Sequence, residues 1–237
     1  MTVLSFLIPV AVLGLIAWIV IGFIQSRRAE SFTLATATAL YSRVLFVAGV
    51  LIALTGAGTV LKALFAFINL SYSYFDYAAT AVKSAPPGAI LPPRPPTGYL
   101  EQQRGQDLVL GITLILIGVL VALGHYYLAR AVARMPGGSP SWITRGTILA
   151  LAVTTAIGAI PSAAIGVYEM LSYVILGAPQ SIAYSNGPPL QPWGDPLGAA
   201  IAFVPAWIFV MTRLVRDLRG PHSVTPPQPA PVASPSA

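Results

Sequence analysis

The sequence predicts an all-α fold: a polytopic membrane bundle of about five transmembrane helices, built as one N-terminal helix followed by two helical hairpins in parallel repeat. Three observations carry that prediction. Of 237 residues, 56% are hydrophobic and 8% are charged, so the apolar surface exceeds what one soluble core can hide. Apolar runs long enough to cross a bilayer recur along the chain, separated by segments rich in Pro and Gly or bearing Arg. Two of those runs, led by Arg43 and Arg145, look like copies of each other.

The first run, residues 4–24, has about 21 residues, enough at ~1.5 Å each for a ~30 Å hydrocarbon layer. Arg27 and Arg28 follow it directly. A long apolar stretch with basic residues behind it reads as an uncleaved signal anchor, residues 1–28, and not as a cleaved signal peptide. Residues 29–42 are a Thr- and Ala-rich connector, an interfacial helix or an early start of the second span. The second span, 44–70, is interrupted by Lys62 and ends in Tyr72, Tyr74, Phe75 and Tyr77, an aromatic belt at headgroup depth.

Residues 78–106 contain Pro86, Pro87, Pro92, Pro93, Pro95 and Pro96, which predicts an extended, polyproline-like outer loop. The third span, 108–128, closes on His125, Tyr126, Tyr127 and Arg130. The Gly- and Pro-bearing turn at 135–141 predicts a tight hairpin between the third and fourth spans. The fourth span covers 145–174 and carries Glu169. The fifth, 197–211, has a shorter apolar run with Pro205 in its middle, so a re-entrant segment is its alternative. The tail, 220–237, is rich in Pro, Ser and Ala and reads as disordered.

Charge sets the expected orientation. The chain carries thirteen Lys and Arg against seven acids, dispersed between apolar runs and so unlike a nucleic-acid-binding face. Arg27, Arg28, Arg43, Arg130, Arg134, Arg145, Arg213, Arg216 and Arg219 fall on one side of a five-span arrangement, and Lys83, Arg94 and Arg104 on the other. The positive-inside rule then puts the N-terminus outside and the C-terminus in the cytoplasm, in the inner (plasma) membrane.

Aligning Arg43 with Arg145 also aligns Gly56 with Gly158, and Asp107 before the third span answers Asp195 before the fifth. The hairpin units would be 41–134 and 141–219, in the same orientation. The combination of an Arg-led apolar helix with an internal Gly, Pro205-Ala206-Trp207 in the fifth span and His125-Tyr126 in the third resembles a family of bacterial multi-helix membrane proteins of unknown function, often duplicated. The resemblance spans residues 41–219, with one of the two closing elements in each copy. It implies architecture and brings no activity with it.

Three sets of residues are candidate sites. Small residues every fourth position, Gly49, Ala53 and Ala57, then Gly158, Ser162 and Gly166, then Gly198, Ala202 and Ala206, give flat faces for close helix packing. Lys62 and Glu169 are ionisable groups inside apolar runs, a usual mark of function. Counted from Arg43 and Arg145 at ~1.5 Å per residue they lie roughly 28 and 36 Å along their helices, at the outer rim, where they would snorkel or pair across the repeat interface. A proton or cation site is the alternative. His125, at the inner boundary, reads as a headgroup hydrogen-bonding residue, with a haem or chlorophyll-type ligand as the alternative.

With no cysteine and two histidines, thiolate chemistry is excluded and metal ligands are scarce. No phosphate loop, nucleophile elbow, zinc helix or dinucleotide fingerprint occurs, so no cofactor and no catalytic residue is expected. The expected function is that of a noncatalytic subunit, partnered by the bilayer and by other membrane subunits or itself. A small transporter or channel of two repeats is the alternative, its pathway lined by Thr55, Thr59, Thr113, Thr154 and Thr155.

Overall fold

The computed structural model describes residues 33–74, 98–135, 141–176 and 192–219. They form four long helices: α1 (Leu34–Ile68), α2 (Tyr99–Val132), α3 (Ser141–Leu176) and α4 (Gly194–Leu218), with a 3-10 turn at Leu70–Tyr72 after α1. All four are long and apolar enough to cross a membrane. The expected first span, 4–24, lies outside the described residues, as do the tail and the expected centres of both outer loops, so four spans stand where about five are predicted.

Each helix begins and ends for a local reason. Thr33 caps α1, its Oγ1 accepting from the Thr36 amide at 3.2 Å. Asn69 leaves the helical conformation, and its amide donates to Phe65 O. Gly98, at φ +84°, turns the chain into α2, a left-handed conformation that glycine adopts without Cβ strain. Glu101 and Arg130 sit in the first and last turns of α2, as do Asp195 and Arg216 in α4. Both pairs complement the helix dipole.

Three expectations change at the helix ends. The connector before the second span is helical from Leu34 and continuous with α1. The outer loop stops at Gly98, because the Glu, Gln and Arg of residues 99–106 are good helix formers that carry α2 beyond its apolar run. The short fifth span is a 25-residue helix that passes through Pro205.

The helices pack antiparallel as two pairs, α1 on α2 and α3 on α4, with α1 also lying along α4. The tight hairpin expected between the third and fourth spans is not a packed pair. Those helices, α2 and α3, meet at their shared end, where Ala39, Val132 and Ile143 form a fully buried cluster beneath Ala35, Leu40 and Trp142. Partnership with α1 and α4 along the rest of their length separates them.

The α1–α2 seam is built from absent side chains. A Cβ placed on Gly49 would lie 2.6 Å from the Ala122 amide nitrogen and 2.8 Å from Gly118 O, and one on Gly56 would lie 2.6 Å from Gly111 O. Backbones this close gain dispersion contacts that lipid cannot replace. Gly49 and Ala53 thus meet α2 as a seam. The next members of that seam are Gly56 and Val60, while Ala57 is half-buried beside it. Gly158 faces Phe203 and Gly166 faces Pro196 and Leu197, with fully buried Ser162 between them on the α4 side of α3. Gly198 turns the other way, onto Gly58 of α1, and Ala202 and Ala206 are half-buried.

Candidate functional site

A cluster of polar groups forms at the end of the bundle where α1 stops and α2 and α4 start. Lys62 is one turn and a half before the end of α1. Its Nζ lies 2.8 Å from Asp107 Oδ2, with the side chains 18% and 19% exposed. The Tyr74 hydroxyl donates to the same Oδ2 at 2.8 Å, and the Lys62 ammonium stands 4.9 Å from the Tyr74 ring centre. The 3-10 turn folds the chain back so that Ser73 Oγ donates to Lys62 O at 2.6 Å.

Neighbouring helices close this junction. Gly194 sits against Ser73 and Tyr72 O with no room for a Cβ. Tyr72 packs edge-on to Tyr173 of α3 at 5.4 Å and against Trp193 at 4.7 Å, and Trp193 reaches Phe65 at 5.1 Å. Arg104 lies over the Phe67 ring at 4.1 Å. Of the expected belt, Tyr72 and Tyr74 are turned inward into interhelical contacts, while Phe75 and Tyr77 lie outside the described residues.

The electrostatics favour a neutral phenol at Tyr74. Burial, and then the hydrogen bond to Asp107 and the carboxylate charges of Asp107 and Asp195, hold Tyr74 well above the ordinary phenol range, with Arg104 opposing. The cluster therefore ties three strands of chain together: Lys62 from α1, Tyr74 from the turn and Asp107 from α2.

A Lys62–Glu169 pair is not what forms at Lys62. The antiparallel register that sets Gly56 against Gly111 also brings Asp107 level with Lys62 on the α2 side of α1, whereas Glu169 sits half-buried on α3 between Gly166 and Tyr173. Sequence reasoning missed Asp107 and Tyr74 as partners, although the Gly56–Gly111 register contains the signal.

His125 lies at the opposite end, half-buried on α2. Its Nδ1 is 2.8 Å from Val121 O, one turn back, so the Nδ1–H tautomer donates there. The ring meets Tyr41 edge-on at 5.6 Å, while Tyr126 packs on Phe46 and Tyr127. Among the described residues no three His, Cys, Asp or Glu side chains group as metal ligands. Arg43, Arg130, Arg134, Arg145, Arg213, Arg216 and Arg219 all belong to this end.

Five threonines of the spans turn to their own helices. Thr59, Thr113, Thr147, Thr154 and Thr155 each donate to the carbonyl four residues back, the usual way a hydroxyl is satisfied inside a membrane helix.

Over the described residues, fold and junction together define an all-helical bundle of apolar spans, compatible with an integral membrane protein. Comparison with protein-family models, with curated proteins and with solved structures finds no match.

Proposed function

We propose that this protein is a noncatalytic, multi-pass subunit of the inner membrane that assembles with other membrane proteins or with itself, its N-terminus outside and its C-terminus cytoplasmic. The hydroxyl chemistry of the interior carries the reading. Of the five threonines a pathway would use, Thr59, Thr113, Thr154 and Thr155 donate to their own backbone. The ion pair between helices sits at one end, as a structural tie.

The contact surface under this reading is α2. It packs closely on α1 and leaves Val109, Leu116, Leu120 and Tyr127 at 60% exposure or more, faces for lipid or a neighbouring subunit. Purification of the native protein in mild detergent, followed by identification of copurifying chains, tests the proposal. A stable complex is the expected result. A homogeneous preparation whose thermal stability rises with a small solute would replace this reading with transport.

A further inference from the structure

Arg43 is a cation on a buried face of α1. Ala39 and Val47, one turn to either side of it on the same face, are 1% and 3% exposed, and Arg43 itself is half-buried. Its Nε is shut off from solvent and has no hydrogen-bond partner. Tyr126 of α2, which packs on Phe46 one turn from Arg43, is the ionisable side chain that bears on its charge. Among the described residues no carboxylate pairs with it. A buried guanidinium group without an acceptor is costly, so this position favours an anion that the described residues do not supply.

The charge around Arg43 has one sign. Arg130 and Arg134 follow Tyr126 at steps of four residues along one face of α2, and both are exposed. Glu101, Asp107, Glu169 and Asp195 stand at the far end of the bundle; among the described residues Asp217 alone stands at this one, 4.0 Å from Arg213 of α4. Depth selects the kind of anion. The 19 residues from Arg43 to Lys62 span about 28 Å of helix. With Lys62 at one boundary of a ~30 Å hydrocarbon layer, Arg43 lies at the other, level with phospholipid phosphates. Helix α1 runs nine residues further, and there Ala39, Val132 and Ile143 plug the space between α1, α2 and α3. An anion arriving from the water meets that plug. A lipid of the same leaflet reaches Arg43 from the side, between α2 and α3, which are not a packed pair outward of the cluster.

We propose that Arg43, Tyr126 and Arg130 bind the headgroup of an anionic phospholipid. The Arg43 guanidinium group donates to the phosphate oxygens, a charge-assisted contact for which its planar fork is suited. The Tyr126 hydroxyl donates to the same phosphate, and Arg130 with Arg134 meets the headgroup beyond it. A choline headgroup would set its own cation against those two arginines, so the site discriminates against phosphatidylcholine. The acyl chains continue along α2 over Val119 and Ile112, which lie at seven-residue steps from Tyr126 on the same face and are exposed.

Thermal unfolding of the full chain in a neutral detergent, with lipid added as mixed micelles, tests the site. Saturating dioleoylphosphatidylglycerol should raise the midpoint by about 5 °C, and dioleoylphosphatidylcholine should leave it unchanged. Arg43→Gln should abolish the response to phosphatidylglycerol. Because it removes an uncompensated buried charge, that variant should be no less stable than the parent chain in phosphatidylcholine. Arg130→Gln changes an exposed side chain and should weaken the response without disturbing the fold, which keeps the test valid if the Arg43 variant misfolds. Arg213→Gln, on α4, should leave the response whole. A phosphatidylglycerol response that survives Arg43→Gln, or equal responses to the two lipids, overturns the site. The same shift from inorganic phosphate or from poly-glutamate would overturn the lipid assignment and give the arginines to a soluble anion or an acidic protein segment.

Discussion

Alanine at Gly118 and at Gly124 should move stability in opposite directions, although both changes add one methyl to the same helix. A Cβ at Gly118 would lie 2.6 Å from Gly49 O and 2.9 Å from the Ala53 Cα. Carbon contacts settle near about 3.5–4.0 Å, so α1 and α2 must part by about 1 Å. The opposing atoms are backbone and cannot rotate aside. Overpacking of this kind costs about 1–3 kcal/mol. At Gly124 nothing lies within 4 Å of the added atom, and the intrinsic helix preference for Ala over Gly, about 1 kcal/mol in water, is unopposed. The two variants should therefore differ by about 2–4 kcal/mol. Reversible unfolding from mild into denaturing detergent, followed by circular dichroism, measures the difference. Equal stability of the two variants would refute the backbone seam between α1 and α2.

Asp107→Asn should destabilise the bundle by about 2 kcal/mol, because it leaves the largely buried Lys62 ammonium without its counter-charge. A double-mutant cycle with Lys62→Met should return a favourable coupling of at least about 1 kcal/mol, and a coupling of zero would remove Asp107 as the partner. Tyr74 sets an alkaline limit: its phenol is held protonated in the fold, so its contribution is complete below the ordinary value of about pH 10 and is lost progressively above it. Tyr74→Phe should flatten the fall in thermal midpoint between about pH 9.5 and 11.5, and an unchanged slope would show that the loss lies elsewhere. A fluorescent reporter that matures only in the cytoplasm should be bright when fused to the C-terminus, and a silent, well-expressed fusion would reverse the orientation.

The centres of the four described helices were legible because a run of some 20 apolar residues has one economical explanation in lipid. Their ends were not. α2 starts nine residues before its apolar run, in Glu101, Gln102, Gln103 and Arg104, where headgroup water solvates polar side chains and helix propensity alone decides. The same blind spot hid the junction. Asp107 reads in sequence as the end of a loop, while in the structure it is more than two turns inside a helix and level with Lys62. Ionisable residues at the rim are visible in sequence, but their partners depend on register. Here register follows from which glycines of α1 and α2 meet.

The equivalence of Gly56 and Gly158 is one of position and not of contact. Gly56 admits the backbone of Gly111 and the amide of Ile115, and the pair it belongs to closes along its length. Gly158 admits the ring of Phe203, so α3 and α4 are held apart at that level by an aromatic side chain. The first pair is therefore closed backbone to backbone along its seam and clamped by the Lys62, Asp107 and Tyr74 junction at its outer end, and the second is spaced by a side chain at this level.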